Sequence, residues 1–181
     1  MFHPDARFHF RIIDSFTGPF ALMVRGDGAV RTGWVAHFDA DWSEGGVFDE
    51  SLEPGLVDRL QAYFAGDEVS FANAPLPAGG PFHRACWRAC RAIPSGETIS
   101  YGELARRAGS TPAAARAAGQ AMRQNPMPII TPCHRVIGAT GQLHGFVGTT
   151  DAASDPVVLK RALLEHERVA VAVGVTASAA G

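Results

Sequence analysis

The sequence predicts an α+β fold in two parts, and three observations predict it. The first third breaks into short β-like runs between glycine-rich turns, and the second half follows helical spacing. Between them lies a proline- and glycine-rich stretch without periodicity. The chain has 181 residues, 46% hydrophobic and 19% charged, enough for one large domain or two small ones with ordinary apolar cores.

The elements follow in order. Phe8-His-Phe-Arg-Ile-Ile13 alternates and then turns apolar. Pro19-Phe-Ala-Leu-Met-Val24 follows a Thr-Gly turn signal, and residues 29–38 follow Gly26-Asp27-Gly28. Three such runs predict an antiparallel meander. Residues 39–53 are acidic and predict a loop. Pro54 opens a helix that carries Leu56, Leu60, Tyr63 and Phe64 on one face, with Gly66 placed to stop it. Residues 72–80 hold Pro75, Pro77, Gly79 and Gly80 and read as a linker. The expected units are therefore 1–78 and 79–168, followed by a small, apolar, weakly packed tail at 169–181.

In the second half, Pro81 sits where a first helical turn tolerates proline, and Phe82, Cys86, Trp87, Cys90 and Ile93 follow helical spacing until Pro94-Ser95-Gly96. Ser100 precedes a short helix over 101–108, with Glu103 three residues on, a capping-box pattern. Gly109-Ser110-Thr111-Pro112 makes a turn into a second helix over 113–124. Two short helices joined by a glycine-containing turn are what a helix-turn-helix needs. Ala113, Ala114, Ala115, Ala117 and Ala118 would let a backbone approach the second helix, and Arg116 and Arg123 supply charge. Purely structural bundles also contain such pairs. Leu159, Leu163 and Leu164 mark a last amphipathic helix over 159–167.

Charge is divided along the chain. Residues 1–82 carry five Arg against twelve Asp and Glu, or −7, and residues 84–135 carry eight Arg against Glu97 and Glu103, or +6. Such a split points to a polyanion met by the second half alone. No apolar run reaches the roughly 20 residues that span a bilayer, and the polar start does not read as a signal peptide. A cytoplasmic protein without membrane contact is expected. The preference for Arg and Ala over Lys hints at a GC-rich microbial source.

Cys86, Cys90 and Cys133 are too few and too irregular for a disulfide framework. The i, i+4 pair Cys86 and Cys90 could bind a metal, but no second Cys/His pair stands near, so core packing is the expectation. His3, His9 and His37 are too scattered to form a ligand set. Cys133 is followed by His134, a possible base, and by Arg135. In an extended segment neighbouring side chains point apart, so His134 could act only across a water or a sharp bend. It would need an orienting carboxylate, for which Glu167 is a candidate. By itself, a cysteine beside a histidine reads more readily as a structural thiol than as a nucleophile.

The run Pro132-Cys133-His134-Arg135-Val136-Ile137, preceded by Asn125-Pro126 and followed by Gly141 and Gly145-Phe146-Val147-Gly148, resembles the active-site signature of the O6-alkylguanine-DNA alkyltransferases. The segments 93–105 and 114–119, Phe82 with Trp87, and Lys160, Leu163, Leu164 and Glu167 are similar to that family's other blocks. The resemblance covers about residues 55–168 and implies a ribonuclease H-like N-terminal α/β domain with a small antiparallel sheet, and a C-terminal winged helix-turn-helix domain. It implies a monomer that meets double-stranded DNA containing alkylated guanine, flips the base and moves the alkyl group irreversibly to Cys133, without metal or cofactor. O4-alkylthymine is a further substrate it suggests. By the same resemblance, His134 deprotonates the thiol through a water, Glu167 holds the imidazole, Asn125 supports the cysteine turn, and Tyr101 donates a proton to the leaving base. Arg116 fills the emptied stack; Thr98, Ser100, Ala115, Ala117, Met122, Arg123 and Arg135 face DNA. Val136 and Gly145, Phe146, Val147 and Gly148 line the base pocket. Phe146 stands where the family usually has Tyr, Thr149-Thr150 replaces the second Gly of a Gly-Gly pair, and residues 151–156 read as a short insertion. A damage sensor, a transcription regulator and a Cys-His hydrolase are the competing activities.

Overall fold

A computed structural model describes residues 6–39, 41–143 and 156–178, with side chains of the last segment described over 157–168. The meander forms as expected: β1 (Phe8–Ile13) pairs antiparallel with β2 (Phe20–Arg25), which pairs antiparallel with β3 (Val30–Trp34). Residues 39–53 are not all loop. β4 (Gly46–Phe48) pairs parallel with β1, so the sheet is mixed, in the order β3-β2-β1-β4. Three residues are too few to show alternation, and tertiary pairing makes this strand. Gly46 is required there, because a Cβ would stand 2.6 Å from the Phe8 ring.

The third run ends early. A 3₁₀ turn over Val35–His37 replaces the expected extension to Phe38, whose ring folds back over Gly33 where a Cβ would lie 2.8 Å away. Helix α1 (Pro54–Ala65) buries Leu56, Leu60, Tyr63 and Phe64, and Gly66 caps it at φ 100°. Phe20 packs edge-on against Trp34 and Phe64, at centroid distances of 5.0 and 5.2 Å.

Residues 72–80 are irregular, as expected of a linker, yet they are docked. Arg91, on α2 (Pro81–Arg91), donates to the carbonyls of Ala74 and Pro75 and to Thr131 Oγ1. Cys86 and Cys90 are buried in the core, where burial pushes both thiols up, Cys86 to about 11. Ser100 caps α3 (Tyr101–Arg107) by accepting from the Glu103 amide. The capping box is only half made, because the Glu103 carboxylate turns to Arg106 and Arg107 instead. A 3₁₀ turn over Pro112–Ala114 leads into α4 (Ala115–Arg123), the second helix of the pair. Short strands β5 (Ile99–Ser100) and β6 (Val136–Ile137) pair in parallel.

The last helix is longer than expected: α5 (Pro156–Ser178) carries helical backbone through most of the segment read as a weakly packed tail. Its small residues keep no periodic stripe; a helix already nucleated over 156–168 continues through them because each further residue adds a backbone bond without a new nucleation cost. One hydrophobic cluster runs from Phe20, Trp34 and Leu60 through Trp87 and Leu104 to Met127 and Cys133. The two halves share a core. Thr32 also joins them, donating from N to Pro126 O at 3.0 Å and from Oγ1 to Pro128 O at 2.9 Å.

Candidate active site

Cys133 lies in the loop between α4 and β6, and Asn125 organises that loop. Its Nδ2 donates to Thr131 O at 2.8 Å and to Cys133 Sγ at 3.2 Å, while its Oδ1 accepts from Met127 N at 3.0 Å. The prolines and Ile129, at φ 71°, make a path that few β-branched residues adopt. A 3₁₀ turn over Cys133–Arg135 supplies the sharp bend that adjacent catalytic side chains would need.

Glu167 gathers the charged groups behind the cysteine. Its Oε1 lies 2.6 Å from His134 Nε2 and 3.1 Å from Tyr63 Oη, which donates to it. Arg135 donates to it from Nε and Nη2, at 2.8–3.1 Å, and Gly96 N donates to Oε2 at 3.2 Å. Burial alone would raise the Glu167 carboxyl, but the bonds from His134 and Arg135 hold it well below the usual carboxylate range. Burial lowers His134, and Arg135 and Lys160 add to that against the pull of Glu167. Burial pushes the Cys133 thiol up; the Asn125 amide, the Lys160 charge and backbone N–H groups pull the other way. Burial, with Cys133 and Cys90 beside it, raises Tyr101 to about 12.

The structure thus brings Cys133, Asn125, His134, Glu167 and Tyr101 into one region. Arg116, Ala117 and Arg123 are exposed on α4, Ala115 is partly exposed at its start, and Thr98 and Ser100 are partly exposed just before α3. Two residues expected to face DNA do not. Arg135 is buried, with its guanidinium committed to Glu167 and to Ile93 O. A charge next to a reactive cysteine reads as a phosphate ligand in sequence, but a buried carboxylate claims it first. Met122 is also buried, on the core face of α4. Val136 has no exposed surface and forms a wall behind the site rather than an open lining. Gly145, Phe146, Val147, Gly148, the Thr149-Thr150 departure and all of the 151–156 insertion except Pro156 lie outside the described residues.

Sequence reasoning missed the second buried cation. Lys160 is 1% exposed, donates to Val136 O at 2.6 Å, and sits 5.8 Å from the Tyr101 ring centre. The signal was present: Lys160, Leu163, Leu164 and Glu167 occupy i, i+3, i+4 and i+7, so both charges share the apolar stripe. Tyr63 was read only as a core residue of α1.

With this geometry, the comparisons are decisive. The family description "6-O-methylguanine DNA methyltransferase, DNA binding domain" matches residues 81–169. A methylated-DNA–protein-cysteine methyltransferase of Mycobacterium tuberculosis is 42% identical over 163 residues, spanning 88% of this chain and 92% of that one. The chain belongs to the methylated-DNA–protein-cysteine methyltransferase family. The M. tuberculosis O6-methylguanine methyltransferase crystal structure superposes with a TM-score of 0.73 at 38% identity, covering 90% of this chain and 93% of that one. The M. tuberculosis OGT structure in complex with DNA gives a TM-score of 0.72 at 38% identity, covering 90% and 94%. Like those members, this methyltransferase-family chain joins a mixed sheet and helices in one α+β fold. Among the described residues no group of three His, Cys, Asp or Glu is placed to hold a metal, and no helix is long and apolar enough to cross a membrane.

Proposed function

We propose that this protein repairs DNA by direct reversal, taking the alkyl group from O6-alkylguanine onto Cys133 in a single irreversible turnover. One observation carries the reading: Cys133 Sγ accepts from Asn125 in the bend that leads to the buried His134–Glu167 pair. The partner is DNA; the substrate within it is an alkylated guanine in a duplex, met by one monomer in the cytoplasm, with O4-alkylthymine a further target.

The chemistry follows from the groups present. His134, its Nε2 held by Glu167, takes the thiol proton through a water. The thiolate attacks the alkyl carbon in line, the new S–C bond forms, and the C–O6 bond breaks with its electron pair passing to guanine. Tyr101 supplies a proton to N3 of the leaving base, which makes it a better leaving group. The thioether formed is a stable product, so each molecule acts once. The base must leave the stack first, at a cost of about a few kcal/mol. Arg116, exposed on α4, fills the gap, while Thr98, Ser100, Ala115, Ala117 and Arg123 face the DNA. Val136 stands behind the base pocket.

The reading also divides the chain into a ribonuclease H-like unit over 1–78 and a winged helix-turn-helix unit over 79–168. The mixed sheet packed by α1 supports the first, and α3, α4 and the β5–β6 pair support the second. The test incubates the protein with a duplex bearing O6-methylguanine and weighs the peptide over 124–135. A gain of one methyl group in wild type, absent from Cys133→Ser, is expected. Binding without any gain would leave a damage sensor, and sustained ester or amide turnover would make it a hydrolase.

A further inference from the structure

We infer that the N-terminal half also holds DNA, through a cationic groove that carries the exposed face of α4 onto strand β3. This rests on the reading of DNA as the partner. The groove, of about 370 Å³, opens between β3 and the turn that follows α4, and its walls include Arg31, Trp34, His37, Phe38, Arg123 and Pro126. A second cavity of about 250 Å³ over the outer face of the sheet shares Arg31, His37 and Phe38 with it. The two form one surface feature.

Its charge runs against its surroundings. Residues 1–82 total −7, yet three arginines, Arg25, Arg31 and Arg123, face one carboxylate, Asp39, along the two cavities. Arg25 has a partner in exposed Asp27 at 3.7 Å. Arg31 and Arg123 have no carboxylate partner among the described residues. The Arg31 guanidinium stands 5.1 Å over the Phe38 ring, which fixes it without neutralising it.

The placement suits one ligand. Arg116 and Arg123 are seven residues apart, so they lie on one face of α4, about 10 Å from each other along the helix. Beyond Arg123 the chain turns at Asn125-Pro126, and Thr32 clamps that turn to β3 by two hydrogen bonds. Arg31, adjacent to Thr32, is therefore held at a fixed offset from α4. A sugar-phosphate strand that crosses α4 past Arg123 meets Arg31 next, with the half-buried Phe38 and Pro126 beneath its sugars. The occupant is the strand of the bound duplex that flanks the damaged nucleotide.

The experiment measures affinity for a long duplex bearing O6-methylguanine over a series of salt concentrations. The proteins are wild type, Arg31→Ala, Arg31→Lys and Arg59→Ala; Arg59 is a half-exposed arginine of α1 outside the groove. One lost phosphate contact lowers the slope of log K against log salt by about one and weakens binding on the order of fivefold at about 0.1 M salt. That loss is expected for Arg31→Ala only, with Arg31→Lys keeping the wild-type slope. Unchanged affinity and slope in Arg31→Ala, while wild type still binds and takes the methyl group, would overturn the inference and leave the repair function standing. An equal loss in Arg59→Ala would also overturn it, by reducing the effect to net charge. A wild type that neither binds nor accepts the methyl group would remove both.

Discussion

Cys133 shows how much of a reactive residue is set by its burial. A thiol beside a histidine is an ordinary pair, and what distinguishes this one is its surroundings: Asn125 on sulfur, Lys160 near by, and an imidazole anchored to a buried carboxylate. Because burial holds the thiol above a free cysteine, the single-turnover rate should climb as pH rises from 7 towards 9. Tyr101, raised to about 12, stays protonated throughout that range. A rate that is flat or falls there would show that thiolate formation does not limit the reaction. The opposite end of the scale concerns stability. The folded values of Glu167 and His134 are both depressed, so each contributes stability that is complete above its unfolded value and is lost as pH falls through the folded one. Denaturant midpoints should therefore drop on acidification, first below about pH 6.5 for His134 and again below about pH 4.3 for Glu167. Constant midpoints from pH 7 to 4 would refute the sign. Glu167→Gln leaves the Arg135 charge buried without its counter-ion and should cost about 3–5 kcal/mol in a denaturant titration. His134 and Glu167 were legible from the residues as a candidate base and its orienting carboxylate, and Asn125 joined them only through the family signature. Spacing alone could not tell a phosphate-facing Arg135 from one turned inward.

Among the elements, α5 and the cysteine loop carry the positioning. The helix delivers Lys160 and Glu167 from one stripe, and the loop is held by Asn125 at three points. Asn125→Ala removes those bonds and strands buried backbone groups, at about 1–3 kcal/mol each. It should slow methyl transfer more than it weakens DNA binding, which rate and affinity measured on the same preparation would separate. Equal losses would assign Asn125 to the fold alone. The helices, the turn before α4 and three of the four strands of the larger sheet were legible because their patterns are local; the two-residue β5 and β6 were not. β4 was not, since three residues paired in parallel take their form from a distant strand. The end of α5 was missed for the opposite reason: a helix once nucleated propagates through small residues without an amphipathic stripe to reveal it.

For the molecule as a whole, the linker was read correctly as irregular, but composition gave no hint that it is packed. Arg91 ties it to Thr131 in the cysteine loop, Thr32 ties β3 to the turn after α4, and one apolar cluster spans both halves. Residues joined by contacts so far apart in sequence leave no local trace. Such a shared core predicts one cooperative unfolding transition, coincident by near-UV and far-UV circular dichroism. Two separated transitions would mean that the halves fold independently. The same coupling places Tyr63 of the N-terminal half on Glu167, so the first 78 residues support the site they do not contain. The central claim concerns what all of this holds ready, an acceptor thiol used once. It is tested most directly by mixing the protein with a stoichiometric O6-methylguanine duplex and weighing the peptide over 124–135. The account predicts a gain of one methyl group on Cys133, with guanine restored in the DNA and no second turnover. An unmodified peptide, or more than one lesion repaired per molecule, would contradict it.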